Sequence, residues 1–522
     1  MTHHEDKSLN EVVCNNDAVI ANILEFLVNK DRFSFTSTCK DLGRFRKTKH
    51  MIFRMCLDKY NDLLAHSDHE RRFGNASVHL YSWHSSVHWN ISTFKYIHTL
   101  QLRSCDALRD MSVLGTVHTL NLSGCRGVKD VSALRNVHTL ILKCCYNVED
   151  VSALGNVHTL NLCGCEKVCD ISDLKNVYNL NISHCRNVED VSALGNVHTL
   201  NLSGCDRIRD VSALGNVHTL NLKGCSRIRD VSALGNVHTL NLGGCIRIRD
   251  VSALRHVHSL NLSGCVNVED ISALDCVHIL NLYGCSNVRD VSNLNKVHKL
   301  DIACCKNVHN VSALGHVHSL NLSSCSKLQD VSALGNVHTL NLSGCGKLQD
   351  VSALGNVHTL NLSCCSRLQD VSALGTVHSL NLSGCNMLRD VSALGKVQIL
   401  NLTRCYKIQD VSQLGNVHNL NLSYCLNVVD VSALKNVHTL NLSFCRKLQD
   451  VSALGFVYSL NLCGCDKVHD VSELGTVHIL DLSECENVCD VSTLGNVHSL
   501  NLRHCKNVKD VSMLQNIKNL EM

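Results

Sequence analysis

Apolar residues recur in one fixed pattern along four-fifths of the chain. From Ile91 the sequence repeats every 20 residues as far as Asp510, giving 21 full units, and a final half unit ends at Met522. We number the positions of a unit 1 to 20, so that Val151 is position 1 and Asp170 is position 20. Positions 1, 4, 7, 10, 12, 15 and 18 are apolar. The spacing of two between positions 10 and 12 predicts a short strand, and the spacing of three elsewhere predicts a coil with a corner at each buried residue.

A single unit has nothing against which to bury this apolar stripe. Stacked units bury it continuously, so the repeat predicts a solenoid. The pattern V-x-x-L-x-L-x-x-C-x-x-V resembles the leucine-rich repeat signature, and the following D-V-S-A-L resembles the short bacterial type of that repeat. The resemblance covers residues 91–522. It implies one parallel strand per unit, near 159–163 in the unit that starts at Val151, with loops or 3₁₀ turns on the opposite side.

Composition narrows the class of protein further. The chain has 522 residues, no proline, 32 cysteines, 32 histidines and only 4% aromatic residues, while 45% of the residues are apolar. Such a core consists of many small aliphatic contacts. No apolar run approaches the roughly 18 residues of a membrane span, the first ten residues do not form a signal peptide, and the net charge of +3 argues against nucleic-acid binding. We therefore expect a cytoplasmic protein, in the host cytoplasm if the chain is viral.

Two polar columns, each formed by one position in successive units, have a structural interpretation. Position 15 is cysteine in all 21 units, and position 20 is aspartate in 20 units, with Asn310 as the exception. We expect the cysteines to be buried thiols whose S–H groups reach backbone carbonyls. Disulfides or metal binding are the alternatives, and a reducing cytosol disfavours the first. We expect each aspartate to be an N-cap of the next turn, with a calcium column as the alternative.

Histidine occupies position 8 in 18 units, and Tyr178, Gln398, Tyr458 and Lys518 replace it elsewhere. Because tyrosine and glutamine fit the same position, we expect these side chains to stack or form hydrogen bonds. Divalent-metal binding and pH sensing near pH 6 are the alternatives.

The exposed strand positions 9, 11 and 13 are mostly Thr or Ser, Asn and Ser, and they predict a polar concave surface. We expect the asparagines to form a hydrogen-bonded ladder between units and the surface to bind a protein partner, with ice binding as an alternative. Sequence variation concentrates in the loop after the cysteine, which indicates that one rim carries specificity. The candidate partner-binding residues are Thr199, Asn201, Ser203, Thr219, Asn221, Thr239 and Asn241.

The first 90 residues differ in composition from the repeats. Residues 17–40 carry apolar residues at helical spacing, and they resemble an F-box in its I-L-x-x-L core, its D-L pair and its S-x-V-C-K stretch. This predicts a small α-helical domain over 10–50, with a helical cap on the solenoid as the alternative. Residues 51–90 are expected to form a connecting helix, Ile52 to Leu64, followed by an N-terminal cap. The resemblance implies that the adaptor is bound by Ile20, Ile23, Leu24, Leu27 and Phe33.

An F-box followed by leucine-rich repeats resembles the substrate-recognition subunit of a cullin-type ubiquitin ligase. That family implies a Skp-type adaptor, the cullin ligase core and a protein substrate as partners. The alternatives are a scaffold unrelated to ubiquitin, a metal store and an enzyme. We expect no catalytic residues, no metal and no cofactor, because nearly every His, Cys and Asp belongs to a repeated column and no phosphate-binding glycine loop occurs.

Overall fold

The computed structural model describes residues 98–106 and 108–522 in full, and the backbone alone of 52–56 and 77–81. These residues fall into two compact regions, each containing many of the 20-residue units. The N-terminal region ends at Cys245, and the C-terminal region runs from Ile246 to Met522. The F-box-like segment lies outside the described residues.

The described part of the N-terminal region is a parallel sheet in which every strand pairs with the next one along the chain. Its strands are β1 Ile52–Cys56, β2 Ser77–Tyr81, β3 Thr99–Arg103, β4 Thr119–Asn121, β5 Thr139–Ile141, β6 Thr159–Asn161, β7 Asn179–Asn181, β8 Thr199–Asn201, β9 Thr219–Asn221 and β10 Thr239–Asn241. The connecting helix predicted from Ile52 is therefore wrong at its start, because 52–56 pairs as a strand with 77–81.

The C-terminal region is built in the same way, with parallel pairing between successive strands. Its strands are β11 Ser259–Asn261, β12 Ile279–Asn281, β13 Lys299–Asp301, β14 Ser319–Asn321, β15 Thr339–Asn341, β16 Thr359–Asn361, β17 Ser379–Asn381, β18 Ile399–Asn401, β19 Asn419–Asn421, β20 Thr439–Asn441, β21 Ser459–Asn461, β22 Ile479–Asp481, β23 Ser499–Asn501 and β24 Asn519–Glu521.

Short 3₁₀ helices form the side opposite the strands, as predicted, because the S-A-L-G-N stretch leaves room for one turn only. In the N-terminal region they are Leu114–Thr116, Ser132–Leu134, Ser152–Leu154, Ser172–Asn176, Ser192–Asn196, Ser212–Asn216 and Ser232–Asn236. In the C-terminal region they are Ser252–His256, Ser272–Cys276, Ser312–Leu314, Ser332–Leu334, Ser352–Asn356, Ser372–Leu374, Ser392–Lys396, Ser412–Leu414, Ser432–Asn436, Ser452–Phe456, Ser472–Thr476, Ser492–Asn496 and Ser512–Leu514.

The core is the apolar stripe that the sequence pattern predicts. In the unit 211–230, all seven apolar side chains are at most 2% exposed: Val211, Leu214, Val217, Leu220, Leu222, Cys225 and Ile228. Burying an aliphatic side chain of this size contributes about 1.5–3 kcal/mol relative to leaving it exposed. Since each stripe packs on the stripes of neighbouring units, the stability of the array comes from stacking.

From β4 onward the strands are shorter than predicted and end at position 11, whereas β3, Thr99–Arg103, reaches position 13. Hydrogen bonds between units nevertheless continue beyond the strand: Leu162 N–H donates to the Asn181 carbonyl at 2.7 Å and Gly164 N–H to the Ser183 carbonyl at 2.8 Å. The strand ends because the backbone at position 14 is left-handed, with φ of +74° at Gly164, which turns the chain away from the sheet.

Candidate functional site

The cysteine column closes the corner that follows each strand. The buried Cys225 thiol donates to the Leu202 carbonyl of the preceding unit at 3.2 Å, and the same carbonyl accepts the Cys205 N–H at 3.1 Å. Burial raises the pKa of the Cys225 thiol to about 12, so the thiol stays protonated and remains a donor. The predicted role of the cysteines as buried donors to backbone carbonyls is confirmed.

The aspartate column holds the turn that begins each unit. Asp210 Oδ1 accepts the Ser212 backbone N–H at 2.9 Å, and this hydrogen bond lowers the pKa of the Asp210 carboxyl. The N-cap residue of the following 3₁₀ helix is Val211. The predicted N-cap is therefore one residue off, and the aspartate makes an Asx turn just before the helix.

Position 8 forms stacks of aromatic rings. His198 and His218 lie 4.7 Å apart between ring centroids with planes 7° apart, and Tyr178 stacks on His198 at 4.6 Å. The Nδ1 atom of His218 lies 3.2 Å from the hydroxyl oxygen of Thr219. The expected stacking and hydrogen bonding are both present. Among the described residues no group of three or more His, Cys, Asp or Glu side chains is placed to hold a metal ion.

The side chains at positions 9, 11 and 13 form the surface that was predicted to be concave, here called the concave floor, and they bring the predicted partner-binding residues together. Thr199 pairs in register with Thr219, and Asn201 with Asn221, while β9 pairs with β10 in the same register. The side chains of these residues are half-buried. Their placement on one surface matches the prediction, and whether that surface binds a partner stays a prediction.

The asparagines of the floor do not bond as predicted. Asn201 Oδ1 accepts the Ser203 N–H of its own unit at 3.0 Å, and Asn221 and Asn241 make the same bond two residues onward. The hydrogen bonds therefore support the bend after each strand and do not form the ladder between units that the sequence suggested. This bond uses the amide oxygen of each side chain.

Position 14, directly after the floor, combines an unusual backbone with variable side chains. Its φ is positive in every unit, between 67° and 77° where it is glycine and between 54° and 64° where it is another residue. A left-handed conformation costs a residue with a Cβ atom about 1 kcal/mol. The non-glycine residues are Ser104, Cys144, His184, Cys304, Ser324, Cys364, Arg404, Tyr424, Phe444, Glu484 and His504.

Large side chains at position 14 lie over position 14 of the next unit: a Cβ atom added to Gly204 would lie 2.6 Å from the Nδ1 atom of His184. The serine that precedes such a residue is buried: Ser183 is 4% exposed beside His184, and Ser443 is 8% exposed beside Phe444. Ser203, which precedes a glycine, is only half-buried. Position 14 therefore forms the rim of the concave floor, and we call it the strand-end rim.

Sequence variation was expected close to this rim, in the loop after the cysteine, and not at position 14 itself. The glycines at position 14 carried the signal, because glycine is favoured where φ is positive.

The described residues define the class as a leucine-rich repeat fold with cysteine-containing units, on the evidence of the parallel strands, the 3₁₀ turns and the buried Leu, Val and Cys stripe. No family model matches the chain, and no curated protein matches it. No helix among the residues described here is long and apolar enough to cross a membrane.

Three of the solved structures to which the chain is similar come from bacteria. The functional domain of InlJ from Listeria monocytogenes, which includes a cysteine ladder, has a TM-score of 0.41 and 19% identity over 56% of this chain and 71% of its own. A leucine-rich repeat protein of Leptospira interrogans has a TM-score of 0.34 and 15% identity over 84% and 99%. One from Bacteroides ovatus has a TM-score of 0.23 and 11% identity over 63% and 79%.

Proposed function

We propose that the chain is a non-catalytic scaffold that binds a protein partner on its concave floor and strand-end rim. The observation that carries this proposal is the backbone of position 14, where eleven units accept a left-handed non-glycine residue although ten others use glycine. The repeated Leu, Val, Cys and Asp side chains are already used by the fold itself. The rim side chains are variable and project beside the floor, as a recognition surface requires.

In this proposal the floor makes many polar contacts with the partner, and the variable rim side chains determine which partner is bound. Thr199, Asn201 and Ser203, with their counterparts in β9 and β10, offer hydroxyl and amide groups at regular spacing. Many such contacts, individually weak, suit a long solenoid surface. A reducing, cytoplasmic location fits this proposal, because the thiol donors of the cysteine column require reduced cysteine.

The finer proposal is that the scaffold is the substrate-recognition subunit of a cullin-type ubiquitin ligase. It is supported by the F-box-like residues Ile20, Ile23, Leu24, Leu27 and Phe33. In this proposal the segment binds a Skp-type adaptor and the cullin core, and the repeats bind the substrate. A scaffold with no link to ubiquitin uses the same repeats without the adaptor.

Site-specific photocrosslinking of the full chain tests the scaffold proposal. A photoreactive amino acid replaces Asn221 or Asn441 on the floor, and matched controls replace Asn216 or Asn436 in the 3₁₀ helices of the same units. We expect crosslinked partner proteins in lysate from the floor positions only. Equal crosslinking from all four positions, or none at all, would contradict the proposal.

The ubiquitin proposal is tested separately with purified Skp-type adaptor. The full chain should retain the adaptor, and a variant with Ile23→Asp and Leu24→Asp should lose it while keeping the crosslinks from Asn221. If the unaltered chain retains no adaptor, the ligase assignment is wrong and the scaffold assignment stands on the crosslinks alone.

A further inference from the structure

Three successive units place large side chains at the strand-end rim, and these side chains stack. The rings of Tyr424 and Phe444 lie 4.7 Å apart between centroids with planes 14° apart. The guanidinium carbon of Arg404 lies 5.3 Å from the centre of the Tyr424 ring. We call Arg404, Tyr424 and Phe444 the rim stack. It follows strands β18, β19 and β20.

The ring faces within the rim stack are covered by neighbouring groups, and the ring edges remain accessible. A Cβ atom added to Gly464 would lie 2.5 Å from two ring carbons of Phe444, so that ring already covers the backbone of the next unit. Both faces of Tyr424 are in use as well, one by Arg404 and the other by Phe444. A ligand therefore meets ring edges, the tyrosine hydroxyl and the guanidinium. Aromatic edges carry partial positive charge and favour electron-rich oxygen atoms.

The loops that hold the stack are basic. Residues 403–409, 423–429 and 443–449 contain four basic residues and no acidic one. Three of these cations have local partners: Arg446 pairs with Asp466 at 3.7 Å, Lys447 Nζ donates to Asn427 Oδ1 at 2.7 Å, and Lys407 Nζ lies 3.2 Å from Met387 Sδ.

Arg404 is different from those three. It is exposed, and the ion pairs found among the described residues, at Arg255, Arg446, Arg503 and Lys506, do not include it. Because its guanidinium is held in place over Tyr424, its N–H donors are pre-oriented for a carboxylate.

Exposed apolar side chains lie in the same units as the stack. Tyr406 and Leu426, two residues beyond the stack in their loops, are 39% and 37% exposed, and Ile399, on the floor of the first of these units, is 43% exposed. Isolated exposed apolar residues are normal on a protein surface. Their coincidence with the one run of three successive large residues at position 14 among the described units gives the surface both apolar and cationic character.

We propose that the rim stack binds an extended acidic peptide segment of a partner protein, with one carboxylate on Arg404 and apolar side chains against Tyr406 and Leu426. The proposal rests on the scaffold function and names the chemistry of its partner. Charge complementarity supports an acidic partner, because residues 403–409, 423–429 and 443–449 carry only positive charge. The aspartates that follow these segments accept backbone N–H groups of the next turns. An extended segment suits a surface that runs across successive strand ends.

Fluorescence anisotropy with the full chain tests this proposal. The probe is a short fluorescein-labelled peptide that alternates glutamate with leucine and phenylalanine, and a matched peptide carries lysine in place of glutamate. We expect binding of the acidic peptide only, weakened about tenfold by Arg404→Gly and further by the triple change of Arg404, Tyr424 and Phe444 to Gly. Higher salt should also weaken binding, because the contact is exposed.

The chain supplies its own control for folding. Glycine occupies position 14 in ten other units, so glycine variants keep a backbone that the fold already uses, and thermal unfolding verifies this. Asn436→Ala, a change in the 3₁₀ helix of the repeat that carries Phe444, should leave affinity unchanged within about twofold, the scatter expected for an uninvolved surface residue.

The proposal fails if the acidic peptide does not bind, if the triple variant binds it as well as the unaltered chain, or if the lysine peptide binds equally. Tighter binding of a phosphorylated peptide or of single-stranded RNA would replace it with a phosphate-binding site. In all these cases the crosslinks from Asn221 can still appear, which separates failure of this proposal from failure of the scaffold function.

Discussion

At the residue scale, the chain shows which polar side chains the fold requires and which it does not. That cysteine at position 15 is buried could be predicted from the apolar spacing alone. Its partner carbonyl could not, because the corner geometry that aims the Leu202 carbonyl at Cys225 depends on the packing of the preceding unit. The orientation of the position 14 side chains was equally hidden, since spacing says nothing about φ.

The cysteine column predicts an ordered response to substitution. Cys225→Ala removes the thiol donor from the Leu202 carbonyl and leaves a small void, so we expect a loss of about 1–3 kcal/mol in the free energy of unfolding. Cys225→Ser keeps a donor and should lose less than the alanine variant. Urea unfolding followed by circular dichroism measures both. A serine variant as unstable as the alanine variant would show that packing of sulfur, and not its hydrogen bond, is what matters here.

At the scale of the repeated element, a typical 20-residue unit joins a three-residue strand, a left-handed bend, an Asx turn and a 3₁₀ turn. The strand β3 is longer, and the unit 291–310 lacks the 3₁₀ helix. The period and the turn at the aspartate followed from the sequence, because both depend on local chemistry. The length of the strand did not follow from the sequence. The left-handed position after the strand is hard to recognise because many units have a non-glycine residue there, among them Cys144, His184 and Phe444.

The aspartate turns predict an acid-sensitive stability. The Ser352 N–H lowers the pKa of Asp350 in the folded chain, and the corresponding N–H groups lower those of Asp330 and Asp370. A carboxyl whose pKa is lower when folded stabilises the fold above its unfolded pKa, near 3.9, and loses that contribution as pH falls through the folded value. The urea midpoint should therefore decrease from about pH 4 downward.

Asparagine variants isolate this effect from other titrating groups. Asn310 already makes the same bond to the Ser312 N–H at 3.0 Å, so Asp330→Asn, Asp350→Asn and Asp370→Asn together preserve the turns and remove three titrations. We expect a smaller decrease in the urea midpoint between pH 5 and pH 3 than in the unaltered chain. Identical pH profiles would mean that these bonds do not contribute to acid sensitivity.

At the scale of the whole molecule, predictability divides at the start of the repeats. From residue 98 onward, the same apolar positions recur so often that stacking is the only arrangement that buries them, and the fold could be predicted. The connecting helix could not be predicted correctly, because a single unrepeated segment lacks this redundancy and its pairing with the sheet outweighed its local helical pattern. The predicted floor residues share one surface because their strands pair in register, and partner binding on that surface stays a prediction.

Repetition also predicts that the chain tolerates loss of a unit but not of half a unit. Deleting residues 331–350 joins Asp330 to Val351 and keeps every position in phase, so the stripes still stack and circular dichroism per residue should be unchanged. Deleting residues 331–340 joins position 20 to position 11, and Asn341 takes the place of the buried Val331. Because buried positions then meet polar ones, we expect a clearly lower urea midpoint or aggregation for the ten-residue deletion alone. Equal damage from both deletions would show that the units are not interchangeable, and that the variable side chains contribute to folding as well as to recognition.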